Sequence, residues 1–218
     1  MKRKSFDTKK YVAVLVITIV IFSMGMIVGH LLGSQKASLV SALQEDLRTD
    51  ALDIELAFSL IEQDPCEFAN RAPVIAQIYD LGNRLDHMES VLGKNNQDVL
   101  RLKRYYSLLQ IRQWQFEKRV NELCEDSRIP ILYFYDNSPG ACVGCDEQGF
   151  VLTYLRRKFD FVSVYSFDMG AESESLKALM ARYGVDQAPT IVVNGEVLRG
   201  FYGREPLEEI ILSVHQRE

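Results

Sequence analysis

No low-complexity tract and no internal repeat runs through the 218 residues, which leaves room for one or two globular domains plus an apolar segment. Basic charge is scarce where nucleic-acid binding would need it. Residues 36–126 carry 11 Lys and Arg against 16 Asp and Glu, and residues 127–218 carry 9 against 13. An acidic body with no basic patch excludes nucleic acid as a partner. Histidine is almost missing, with only His30, His87 and His215 present. Beside Cys66 and Cys124 they stand at no recognisable zinc spacing, so a metal centre built on a further cysteine pair lacks its remaining ligands. Charge disappears altogether from Tyr11 to Gly33.

That uncharged stretch is the first feature the chain does have. About 20 apolar residues at 1.5 Å per residue span the ~30 Å hydrocarbon core of a bilayer. Residues 1–10 place Lys2, Arg3, Lys4, Lys9 and Lys10 against Asp7, a basic flank that the positive-inside rule keeps in the cytoplasm. Residues 11–33 therefore read as a single-pass transmembrane signal anchor, sending the rest of the chain outside the cytoplasm. A cleaved signal peptide is the rival, although its apolar core is usually shorter and no clear small-x-small site follows. Gly25 and Gly29 form a Gly-x-x-x-Gly, a weak pointer to a homodimer of spans.

Residues 35–126 show no strand-like run bounded by turns, and their periodicity is helical. Leu43, Leu47, Ile54, Phe58 and Ile61 share one face, and Asp64-Pro65 stops that helix. Ile75, Ile78, Leu85, Met88 and Leu92 mark a second helix, with Pro73 either starting it or kinking it. Val99, Leu102, Tyr106, Leu109, Phe116, Val120 and Leu123 mark a third, on a repeat like a coiled-coil seam with Gln113 as its one polar member. If these three helices run up, down and up, Cys66 and Cys124 fall at the same end. A structural disulfide between them is then reasonable in an oxidising compartment, the alternative being two separate buried thiols. The region suits a spacer, a partner-binding unit or an oligomerisation element.

After the polar break at Glu125–Arg128 the period changes. Ile129–Tyr135 reads as a strand, Cys145–Phe159 as a helix, Phe161–Phe167 as a strand and Glu172–Tyr183 as a helix. Asn194-Gly195 between two short apolar runs is a hairpin signal, and Pro206–His215 closes the chain as a helix. Between the first strand and first helix lies Cys142-Val143-Gly144-Cys145. Two thiols at this spacing close into a disulfide or open into a dithiol with little backbone movement. If Cys142 opens a helix, the positive end of the helix dipole favours its thiolate and makes it the nucleophile. Cys145 is then in reach to resolve a mixed disulfide. Asp146 and Glu147, like charges in the first turn, oppose that effect.

The CVGC motif, Tyr183-Gly184-Val185, the Ala188-Pro189-Thr190 that leads into a strand, Asn194-Gly195-Glu196, Gly203 and the final helix together resemble the thioredoxin superfamily over residues 128–218. The resemblance implies an α/β fold: a thioredoxin-like mixed sheet with flanking helices, here preceded by a transmembrane helix and an all-α helical region. It implies Cys142 as attacking thiol, Cys145 as resolving thiol, and Ala188-Pro189 as a substrate-binding corner with a cis proline. Departures are plain. Ala141 stands where the family often has Trp, Val143-Gly144 where it has Gly-Pro, and Phe134 near the place of a buried acid. The resulting expectation is a membrane-anchored extracytoplasmic thiol–disulfide oxidoreductase. It would exchange disulfides with protein thiols and with a redox partner protein, and would need no bound cofactor and no metal. The alternative is a non-catalytic thioredoxin-fold binding module on a helical stalk, with CVGC as a structural disulfide.

Overall fold

The computed structural model describes residues 11–12, 15–27, 52–68, 73–124 and 128–217. It divides into two compact units, Met1–Glu55 and Leu56–Glu218. In the first, residues 15–27 are helical and exposed. Among the described residues no helix is long and apolar enough to cross a membrane. The span expected over 11–33 runs through residues 13–14 and 28–33, which lie outside the described ones, as does Gly29 of the Gly-x-x-x-Gly.

In the second unit the helical residues 56–61 are followed by α1 (Pro65–Phe68), α2 (Pro73–Leu92) and α3 (Gln97–Cys124). Pro73 is the first residue of α2, a position where its missing N–H costs nothing, so it starts the helix and does not kink it. Gly93, in the left-handed region at φ 86°, ends α2. The Asn96 side chain then accepts from Asp98 N at 2.9 Å at the start of α3. Phe58 packs edge-on against Phe116 with centroids 6.2 Å apart, and Arg112 pairs with Glu62 at 3.1 Å, fixing residues 56–62 on α3.

The seam expected along α3 supplies only four of the ten residues that the helix buries. Val99, Leu109, Phe116 and Val120 are buried, but so are Lys103, Ser107, Gln110, Ile111, Trp114 and Glu117, while Leu123 is exposed. The reason is that α3 is covered from two sides. One side faces the preceding helices, and the other lies against the sheet that follows. A helix packed from two sides buries more than one stripe.

The sheet has four strands in the order β2-β1-β3-β4: β1 (Ile129–Tyr135), β2 (Val162–Asp168), β3 (Thr190–Val193) and β4 (Glu196–Arg199). β1 and β2 are parallel, and β3 is antiparallel to both β1 and β4. Pro130 is tolerated in the interior strand β1 for a local reason. Ile129 N donates to Phe161 O on the β2 side, so the Pro130 nitrogen points the other way, where β3 has already ended at Val193 opposite Ile131. Asn194 and Gly195 take φ 46° and 86°, the paired positive values of a tight hairpin turn.

Helices cover both faces. Ile129, Ile131 and Tyr133 pack on α4 (Cys145–Lys158) and α6 (Arg204–His215) through Leu152, Leu155, Leu207, Ile211 and Val214. Leu132, Phe134, Tyr165 and Phe167 pack on α5 (Glu174–Tyr183) through Leu176 and Leu179, and on α3 through Ile111 and Trp114. The edge strand β2 is also tied to α3 by polar contacts. Glu117 accepts from Ser163 Oγ at 2.7 Å and Tyr165 OH at 2.8 Å.

Candidate active site

The Cys142–Cys145 pair lies where β1 gives way to α4, and its sulfurs are bonded, with Cα atoms 5.8 Å apart. Cys145, not Cys142, opens the helix. Gly144 caps it in the left-handed region at φ 87°, a conformation that interrupts the helix and suits glycine. Cys142 therefore sits three residues outside the first turn, and the helix dipole acts first on Cys145. Both cysteines are half-buried, and Val143 between them is 89% exposed.

Ala188-Pro189 is a cis peptide bond just ahead of β3. Thr190 pairs with Phe134, which sets Pro189 beside the end of β1 from which the CVGC segment departs. Pro189 O accepts from Gly200 N at 2.8 Å, and the neighbouring Phe201 lies against Gly144, where a Cβ would come 3.5 Å from the Phe201 Cβ. The substrate-binding corner expected from sequence and the cysteine turn are thus joined through Gly200-Phe201. Gln148, fully buried in α4, reinforces that join, donating to Tyr202 O at 3.1 Å and accepting from Tyr202 N at 2.8 Å.

Residues 128–217 are folded as a thioredoxin-like domain. Its strand order, the cysteine turn ahead of α4 and the cis proline ahead of β3 define that fold. No family model matches the chain, and no curated protein does. Among solved structures it is similar to thioredoxin O2 from Arabidopsis thaliana in the oxidized state, at 17% identity over 47% of this chain and 89% of that one, with a TM-score of 0.35. Thioredoxin NaTrxh from Nicotiana alata is 20% identical over 46% of this chain and 84% of its own, with a TM-score of 0.34. Fasciola hepatica thioredoxin is 22% identical over 46% of this chain and 92% of its own, with a TM-score of 0.33.

Beneath the motif the structure differs from the sequence reading. Phe134 points to the face opposite α4, and it is Tyr133 and Tyr135 that face the active-site helix. Tyr133 OH donates to Cys145 O at 2.7 Å. Burial, aided by Asp146 and Glu147, pushes the Tyr133 phenol up, and burial beside Asp168 and Glu89 pushes Tyr135 well above its usual range. Both stay protonated at neutral pH, and Tyr133 is a constant donor. A cavity of about 410 Å³ opens beside them, walled by α2, α3 and α4 and touching Cys145.

The acids nearest the motif make ordinary surface contacts. Asp146 pairs with Lys94 at 3.5 Å on the surface, and Asp136 Oδ1 accepts from Ser138 N at 2.7 Å, an ordinary loop contact. What sequence reasoning missed is an ionic cluster at the foot of the cavity. Lys103, 2% exposed, donates to Glu89 at 2.8 Å and to Asp168 at 3.0 Å. Asp168 also accepts from Asn137 Nδ2 at 3.1 Å. Away from the motif, Cys66 and Cys124 are bonded, with Cα atoms 5.3 Å apart. His215 stacks on Phe161 with centroids 3.9 Å apart, and His87 sits on the exposed side of α2. Among the described residues no group of three His, Cys, Asp or Glu is placed to hold a metal ion.

Proposed function

We propose that the chain is a thiol–disulfide oxidoreductase that exchanges disulfides with protein substrates, anchored in a membrane by residues 11–33 with its other domains outside the cytoplasm. The observation that carries the chemistry is the closed Cys142–Cys145 pair, half-exposed at the mouth of α4 and joined to the cis Ala188-Pro189 corner. In the oxidising direction a substrate thiolate attacks Cys142 Sγ and expels Cys145 as thiolate. The second substrate thiolate then attacks the substrate sulfur of the mixed disulfide and releases Cys142. Two electrons and two protons pass from the substrate dithiol to the pair, and the reductive direction is the reverse. Exposed Val143, Phe150 and Phe201 offer apolar contact for an extended polypeptide around the sulfurs. The uncharged stretch with its basic flank supports the anchor, and Cys66–Cys124, a bridge far from any redox motif, supports an oxidising compartment.

The test is exchange between the full-length chain and a disulfide-bonded test protein. Cys142→Ser abolishes turnover and Cys145→Ser traps the mixed disulfide. Unchanged turnover in Cys142→Ser, or a CVGC pair that resists mild reductant, overturns the proposal and leaves a binding module. Removing residues 1–33 moves the protein from the membrane to the soluble fraction, and a chain that stays soluble with those residues present overturns the anchor.

A further inference from the structure

Lys103 belongs to the helical region, yet it is bound to the segment that carries the cysteines. Its ammonium is held between Glu89 of α2 at 2.8 Å and Asp168 at the end of β2 at 3.0 Å. Asp168 is the hub of the next links. Its Oδ2 also accepts from Asn137 at 3.1 Å, and its Oδ1 accepts from Gly170 N at 3.0 Å. Asn137 lies in the loop that leads to Cys142, and that loop is short and internally tied. Asp136 Oδ1 accepts from Ser138 N at 2.7 Å, and Ser138 O accepts from Ala141 N at 3.0 Å, one residue before Cys142. Gly170 closes against the same loop, where a Cβ would lie 3.8 Å from Ser138 Oγ.

A second path runs to Cys145. The Lys103 ammonium is 6.0 Å from the Tyr135 ring centroid, the Tyr135 and Tyr133 rings are 5.6 Å apart, and Tyr133 OH holds Cys145 O at 2.7 Å. One buried cation thus touches the supports of both cysteines. Burying an ammonium between two carboxylates is costly unless the geometry is held, and removing it leaves the buried Asp168 and the half-buried Glu89 without their shared cation.

We propose that Lys103 is a positioning residue through which the helical region sets the redox equilibrium of the Cys142–Cys145 pair. The inference rests on the exchange reading of that pair, but its readout is an equilibrium and requires no turnover. The joint is complete in the disulfide form. Breaking it frees the 136–141 loop, and the dithiol form, which has no bond between its sulfurs, gains more from that freedom.

The experiment equilibrates the full-length chain with the dithiothreitol couple and measures the fraction of Cys142–Cys145 oxidised in Lys103→Met, Asn137→Leu and the double variant. Lys103→Met shifts the equilibrium about tenfold toward the dithiol, ~30 mV for this two-electron couple. Asn137→Leu, which cuts the link from the loop side without stranding a buried charge, shifts it in the same direction and keeps the fold if Lys103→Met does not. The double variant moves no further than Lys103→Met alone, because the path that Asn137→Leu cuts is one that Lys103→Met has already cut. A folded Asn137→Leu with an unshifted equilibrium, or shifts that add in the double variant, overturns the inference. So does a Lys103→Met that lowers only the urea midpoint, since that is the mark of a merely structural lysine. Loss of turnover on protein substrates in the wild-type chain would strike the proposed function and leave these equilibria to decide the joint.

Discussion

Replacing Gln148 by Met tests how the active-site helix is held to the segment carrying Phe201. The side chains are close in volume, so the change removes polarity and opens little space. Gln148 is 0% exposed and both ends of its amide are engaged, with Tyr202 O at 3.1 Å and Tyr202 N at 2.8 Å. Two lost hydrogen bonds cost about 1 kcal/mol each, and stranding a half-buried backbone N–H and C=O adds at the low end of the usual 1–3 kcal/mol per group, so the total is about 4 kcal/mol. The assay is urea unfolding with both disulfides intact, reading the midpoint at unchanged slope. A loss under about 0.5 kcal/mol refutes the reasoning, because that is the range of surface substitutions. Gln148→Glu sharpens the test through pH. A protonated carboxyl reproduces both contacts, its O–H donating to Tyr202 O and its carbonyl accepting from Tyr202 N. A carboxylate sets negative charge against the Tyr202 carbonyl in a buried site, so the folded state raises the pKa of this glutamate. Stability is then near wild type below the unfolded value of about 4.3 and falls as pH rises through the folded value. A Gln148→Glu penalty that does not change between pH 4 and pH 7 also refutes the reasoning.

Three further outcomes follow from contacts elsewhere. Tyr165→Phe removes a buried O–H that donates to Glu117 at 2.8 Å, and the loss of a bond to a charged acceptor lowers stability by about 1.5–3 kcal/mol in urea titration. Cys66→Ser with Cys124→Ser opens a loop with a sequence separation of 58 and lowers stability by about 4 kcal/mol in the chain-entropy treatment, read by comparing unfolding midpoints without reductant. Asp86 has its pKa raised from 3.8 by burial and then by Glu89, against the lowering effect of Arg156. An acid raised in the folded state favours folding most when protonated, so its contribution is lost as pH rises through the folded pKa. Asp86→Asn is accordingly more stable than wild type at pH 7, with the gap closing below pH 3.8, as thermal midpoints across that range would record.

What could be read from the chain alone was written in short-range patterns. The CVGC spacing, the Ala-Pro-Thr entering a strand, Asn194-Gly195 and the alternation of strand and helix each fit within a dozen residues, and local chemistry fixes each of them. The rest depends on distance. Lys103 reads as an ordinary helix charge, and only the arrival of Asp168, 65 residues on, makes it a buried cation. Glu117 is likewise a solvated face by sequence, until Ser163 and Tyr165 of the edge strand reach it. Trp114 and Ile111 lie off the three-four stripe because their partners are in a sheet, not in another helix. Tyr133 lost its place to Phe134 for a simpler reason. Side chains in a strand alternate, so a displacement of one residue exchanges the two faces.

The long α3 has a consequence for where this protein can be cut. A fragment beginning at Arg128 keeps all four strands, both cysteines of the motif and the cis proline, and by pattern it looks self-sufficient. It would nevertheless leave behind Ile111 and Trp114, and with them part of the cover over Leu132, Phe134, Tyr165 and Phe167. The bared apolar side chains would be open to any neighbour, a beginning of aggregation. The point where the periodicity changes is a boundary in composition. For folding, the smallest piece with its apolar surface closed begins upstream of it, on the helix that looks like a stalk.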